Sequence, residues 1–197
     1  MPYFDTRDIA AIAICASLWG VLNSIFSPIF FRMFGLPFLC DLIGFSVLTL
    51  TVWWIGKLGS ATAVGLIATI INFILSPSST QFLGFTAASI VFDVAAKVVG
   101  YDRAFGKAVN TTVSAVSIST LSAAVAGFII GTFFMAAPAL VRWGGVLGWA
   151  ALHAAGGIMG GVIGAVLVSA LITRGVLARA KRVEGQKIMV DAVKRSS

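Results

Sequence analysis

Charge is what this sequence has least of. Asp, Glu, Lys and Arg make up 11% of its 197 residues, against roughly 25% in soluble domains. An ordinary water-facing surface over most of the chain is thereby excluded. Histidine occurs once and cysteine twice, with neither cysteine in a CxxC pair, so a metal cluster, a haem site or a redox pair is not expected. Cys15 and Cys40 lie in or beside apolar segments, where free cysteine behaves as a small buried hydrophobe. No nucleophile elbow, HExxH, Walker A loop or dinucleotide fingerprint occurs. Enzymatic activity and ATP hydrolysis by this chain itself are therefore not expected, and neither a cofactor nor a metal is implied.

What is present instead is apolar length. Hydrophobic residues make up 59% of the chain, and the mean hydropathy is +1.02. A helix needs about 20 apolar residues to cross roughly 30 Å of hydrocarbon. Six apolar runs approach that length: about Asp8 to Phe26, Leu39 to Ile55, Ser60 to Leu75, Phe82 to Val99, Ala108 to Met135 and Val146 to Ile172. Their boundaries are breakers, among them Pro28, Gly56-Lys57, Ser76-Pro77, Gly100 and Pro138. Because lipid offers the backbone no hydrogen bonds, each run is expected to be helical. The alternating ten-residue strands of a barrel are missing. The expected fold is an all-α integral membrane protein, a bundle of six transmembrane helices over residues 1–173.

Basic residues orient such a bundle. With both termini cytoplasmic, Arg7, Lys57, Lys97, Arg103, Lys107, Arg174, Arg179, Lys181, Arg182, Lys187, Lys194 and Arg195 fall inside. Only Arg32 and Arg142 fall outside, which completes the 14 basic residues. A multi-pass protein of the cell membrane follows. Residues 174–197 form a basic tail in which Val176, Leu177, Ala180 and Val183 supply one apolar face, suited to an interfacial helix on anionic lipid. Topology already explains the basic excess, so no nucleic-acid partner is expected.

Polar groups inside spans are costly and point to function. Asp41 and Asn72 lie near the outer ends of the second and third runs. Asp93 lies roughly 17 Å along the fourth from Phe82. His153 sits about two turns inside the sixth, one turn beyond Trp149. Each has a plainer explanation: Asp41 as a helix cap, Asn72 as interhelical glue, Asp93 paired with Lys97, His153 as a satisfied core group. Trp143 and Trp149, and Trp53 and Trp54 at the inner face, suit interface anchoring. The polar run Asn110, Thr111, Thr112, Ser114, Ser117, Ser119, Thr120 and Ser122 either lines a cavity or bonds back to its own helix. Together with Phe82, Trp143 and Trp149, the groups Asp41, Asn72, Asp93 and His153 form the candidate pocket for a small heteroaromatic ligand.

Small residues form a second pattern. Gly156, Gly160 and Gly164 repeat at spacing four in GGIMGGVIG, a close-packing stripe. Ala13–Ser17 and Ala16–Gly20 share that spacing in the first run.

These features resemble the substrate-binding S components of energy-coupling factor transporters. The length, six helices, inside termini and basic tail are similar, as are Met33-Phe34-Gly35, Asp41, Ser76-Pro77-Ser78 and Asp93. The last group looks like the branch linked to thiamin or its hydroxymethylpyrimidine precursor. The resemblance implies a vitamin pocket in the outer half, a membrane-embedded T component and a pair of ATP-binding subunits as partners, and an S component that topples in the lipid. It also implies docking through small residues of the first helix, here Ala13, Ala16, Ser17 and Gly20 in place of the usual alanine pair. Two alternatives stand beside it: a self-sufficient secondary carrier or channel using Asp93, and a structural membrane subunit packing through its glycines.

Overall fold

The structure is a computed structural model that describes residues 3–105 and 108–176. Among these residues every regular element is a helix: α1 (Thr6–Phe34), α2 (Phe38–Ile55), α3 (Ser60–Leu75), α4 (Phe82–Val99), α5 (Tyr101–Phe105), α6 (Ala108–Phe133), α7 (Ala137–Val141) and α8 (Gly145–Thr173). Five of them, α1, α2, α4, α6 and α8, are long and apolar enough to cross a membrane. The remaining long helix, α3, is apolar but has 16 residues, or about 24 Å of rise. From residue 177 onward the basic tail lies outside the described residues.

Helix starts and stops follow local chemistry. Asp5 caps α1 by accepting from the Arg7 and Asp8 amides, and Asp8 returns the bond to the Asp5 amide at 3.2 Å. Gly35 ends α1 and Gly56 ends α2, both in the left-handed conformation that suits glycine. The Ser76-Pro77 break stops α3, and Gly100 stops α4. At Pro28 the sequence expectation fails, because α1 continues through it to Phe34. A proline inside a helix removes one backbone bond. Membrane helices tolerate this where packed neighbours compensate, and α1 here lies against α2 and α3.

Packing inside the bundle is set by α8. Its glycines form two adjacent stripes. A Cβ at Gly160 would sit 2.8 Å from the Asp41 carbonyl oxygen, and one at Gly164 2.7 Å from Thr49 Cβ, so this stripe lets α2 approach. A Cβ at Gly157 would sit 2.6 Å from the Ser119 carbonyl, and one at Gly161 2.7 Å from Val116 Cα, so the neighbouring stripe admits α6. Such approach allows backbone-to-backbone dispersion contact, the main attraction available between helices in lipid. The opposite faces carry exposed Ile, Leu, Val and Phe, among them Ile14, Leu18, Ile70, Val98, Val113 and Val166. An apolar exterior on this scale is what a lipid-facing surface requires. Trp53 departs from the expected interfacial place. It is buried in the core, with its ring centroid 5.7 Å from that of Trp54.

A candidate ligand cavity and its histidine–carboxylate pair

The C-terminal ends of α1, α3 and α6 meet the N-terminal ends of α2, α4 and α8 at one end of the bundle. The gap between them is a cavity of about 390 Å³. Its rim carries exposed Arg32, Ser78 and Gln81, and its deeper wall includes buried Asn23, Asn72, Phe85 and His153. Of the expected site residues, Asn72, Phe82, Trp149 and His153 line this space.

Asp41 stands directly behind the wall. It lies in the first turn of α2, where the helix dipole favours an anion. Its Oδ1 is 3.0 Å from His153 Nδ1, and both residues are buried. Two glycines make room for this pair. A Cβ at Gly156 would fall 2.5 Å from Asp41 Oδ2, and one at Gly127 of α6 would fall 2.7 Å from His153 Cβ. The imidazole also lies edge-on to aromatic neighbours, 5.7 Å from Phe85 and 5.4 Å from Trp149 between centroids. With Nδ1 held by Asp41, Nε2 is the ring's free polar atom, and it has no partner. Trp149 Nε1 is likewise buried and unpartnered. Buried polar atoms are paired in the great majority of cases; these two orphans belong to residues of the cavity wall but are themselves shielded from its open space.

Asn72 is differently placed. Its Nδ2 donates to the Ala68 carbonyl at 2.9 Å. Ser24 Oγ lies 2.8 Å from Asn72 Oδ1 and 2.7 Å from the Gly20 carbonyl, so its single proton serves one of the two. The amide thus ties α3 to α1 while forming part of the wall. Pro28 cannot bond the Ser24 carbonyl, which leaves that acceptor without its helical donor beside the cavity. Trp143 does not line the space. It backs Trp149 at 6.4 Å between centroids and carries the Arg142 guanidinium over its own ring at 5.3 Å.

Asp93 lies apart from the cavity, beside the opposite end of α3. Its Oδ2 accepts from the Thr62 amide at 3.0 Å and the Thr62 hydroxyl at 2.9 Å. Thr62 is the third residue of α3, whose own cap, Gly59, has no side chain to offer. A carboxylate from α4 therefore performs the capping that α3 cannot perform for itself. The expected pairing of Asp93 with Lys97 is replaced by this cap, and Lys97 lies over the Tyr101 ring at 5.8 Å. Burial first, then the nearby Asp93 charge, pushes the Tyr101 phenol up from its ordinary value, so it stays protonated at neutral pH.

The small residues of α1 divide between two faces. Ala16 and Gly20 are buried, and a Cβ at Gly20 would lie 2.8 Å from Ile71 of α3. Ala13 and Ser17 are exposed and line a shallow outward groove with Ile14, Leu18 and Val21. The polar run of α6 does not reach the cavity. Thr112 and Thr120 bond back to the Ala108 and Val116 carbonyls.

Several lining residues escape sequence reasoning, notably Asn23, Ser27, Phe31 and Phe85. Asn23 and Ser27 had a usable signal: two polar residues four apart in an apolar helix share a face. Ser27 Oγ donates to Asn23 Oδ1 at 2.7 Å. Phe85 follows Phe82 by one turn, and their rings lie 5.4 Å apart. No protein-family profile matches the chain, and no curated protein or solved structure matches it.

Proposed function

We propose that this chain is the membrane-embedded binding subunit of an energy-coupling factor importer. It captures a vitamin or vitamin precursor, thiamin or hydroxymethylpyrimidine, and delivers it with a T component and ATP-binding subunits. The observation that carries this reading is the cavity at one end of the bundle, walled by the aromatic rings of Phe31, Phe82, Phe85 and Trp149 together with the polar side chains of Asn23, Asn72 and His153. A concave, mostly apolar site with a few fixed polar groups is the usual form of a small-molecule pocket.

Topology supports the direction of capture. In this reading α3 is a sixth, short span, and both termini are cytoplasmic in the cell membrane. Lys57 follows α2, Arg103 follows α4 and Arg174 follows α8, all at the end away from the cavity. Positive residues favour the cytoplasmic side, so the cavity faces out. Of the residues that carry the family resemblance, those other than Asp93 fall at this end, whereas Asp93 lies at the other end of α3. Gly35 ends α1 beside the cavity, Ser76 and Ser78 line it, and Asp41 braces its histidine.

The carrier alternative is weakened by Asp93, which serves α3 as a cap away from the cavity. The discriminating experiment reconstitutes the protein in liposomes with labelled hydroxymethylpyrimidine or thiamin. Uptake is expected only when the T component, both ATP-binding subunits and ATP are present. Accumulation by this chain alone under a proton gradient would refute the proposal.

A further inference from the structure

We infer that the cavity takes a small aromatic ligand bearing an anionic group, a carboxylate or a phosphate monoester, with Arg32 at the mouth receiving the charge. The inference rests on the capture reading and adds to it the charge class of the ligand.

The lining of the cavity carries a permanent charge at one point. Among the described residues no Asp, Glu or Lys lines it, whereas Arg32 does and is always charged. Asp41, the acid at this end of the bundle, is out of reach: its Oδ1 faces His153 at 3.0 Å and its Oδ2 is buried. The connections at this end, residues 35–37, 76–81 and 134–144, contain no acidic residue either. Arg32 forms no ion pair among the described residues. A guanidinium has five donors and no acceptor, so an anion is the group that complements it. In the capture reading its place also runs against the positive-inside tendency. Ser78 and Gln81, from the α3–α4 connection, add uncharged polar groups to the same rim.

A second polar group is open to the ligand deeper down. Asn23 is 2% exposed, and its Oδ1 accepts from the Ser27 hydroxyl at 2.7 Å. Its Nδ2 has no partner among the described residues, yet it is not closed off as His153 Nε2 and Trp149 Nε1 are. Asn23 and Arg32 lie roughly 13 Å apart along the axis of α1. That spacing suits a polar aromatic body against the Phe82 and Phe85 rings and a charged tail towards the mouth. A fixed cation fits less well. The aromatic walls attract it, but Arg32 repels it at the entrance, and no carboxylate oxygen is open to neutralise it. Hydroxymethylpyrimidine carried as its phosphate ester therefore suits the cavity better than thiamin, whose thiazolium is a fixed cation. The headgroup of an outer-leaflet lipid is another source of phosphate, and the test separates the two.

The test is isothermal titration of the full chain in non-ionic detergent with hydroxymethylpyrimidine, its phosphate ester and glycerol phosphate. The last carries lipid headgroup chemistry without an aromatic body. The wild type should bind the ester about tenfold or more tighter than the free pyrimidine, the scale of one hydrogen bond to a charged group. Rising salt should shrink this ratio, because Arg32 is exposed. Arg32→Gln should bind the two pyrimidines equally. Arg142→Gln should keep the wild-type ratio, because the Arg142 guanidinium lies over Trp143 and does not line the cavity. Glycerol phosphate should not displace the ester at equal concentration. Equal binding of the two pyrimidines by the wild type, or a ratio that survives Arg32→Gln, would overturn the inference and leave the capture reading intact. Loss of the ratio in Arg142→Gln would overturn it too, by assigning the preference to the general charge of the outer face. Displacement by glycerol phosphate would overturn it in favour of a lipid headgroup. Failure of both pyrimidines to bind would also overturn it, and retention of another small molecule by the purified protein would in that case leave the capture reading standing.

Discussion

A methyl group at Gly156 would lie 2.5 Å from Asp41 Oδ2, so the glycine is what allows the α2 carboxylate to sit between helices and brace His153. The packing stripe and the candidate site are therefore one feature. Gly156→Ala should displace Asp41, cost about 1–3 kcal/mol as overpacking of a close contact, and weaken ligand binding at least tenfold. Gly127→Ala should act similarly from the α6 side, through His153 Cβ. Thermal unfolding in detergent and ligand titration measure both effects.

Asp93 should behave as a structural residue. Removing its carboxylate by Asp93→Ala leaves the first turn of α3 uncapped, at a cost of about 0.5–2 kcal/mol. Ligand affinity should stay within about twofold of wild type, because the cavity lies at the other end of α3. Titration on the folded variant checks this. A large loss of affinity would return Asp93 to the binding site.

The two faces of α1 should separate stability from assembly. Ala16 is fully buried, so Ala16→Leu should destabilise the protein by about 1–3 kcal/mol through overpacking. Ala13 is exposed beside Ser17, and Ala13→Leu should leave melting temperature and ligand binding unchanged. If α1 docks a T component through its outward face, Ala13→Leu should reduce co-purification of that partner. Unimpaired co-purification would remove Ala13 from the docking surface.

Where breakers flank an apolar run, its helix was legible to the residue. Ser60–Leu75 lies between Gly59 and Ser76-Pro77, and Phe82–Val99 ends at Gly100. Pro28 misled for a physical reason, since one lost backbone bond does not end a helix that has packed neighbours. The short α5 and α7 carry too little periodicity to be read. The polar site residues stand out singly because apolar surroundings make them expensive. Their grouping does not follow from that, for Asp41 and His153 are 112 positions apart. Asp93 has the same sequence character as Asp41, and only the packing of α4 against α3 separates a cap from a site.

The central claim is that the isolated chain holds a small molecule against His153 and Trp149. Mass spectrometry of the small molecules released from the purified protein tests it most directly, with the folded His153→Phe and Trp149→Phe variants alongside. The expected result is one heteroaromatic compound retained in near-stoichiometric amount by the wild type and depleted in both variants. A wild type that retains none, even after supplying thiamin and hydroxymethylpyrimidine during growth, or variants that retain as much as it does, would contradict the claim.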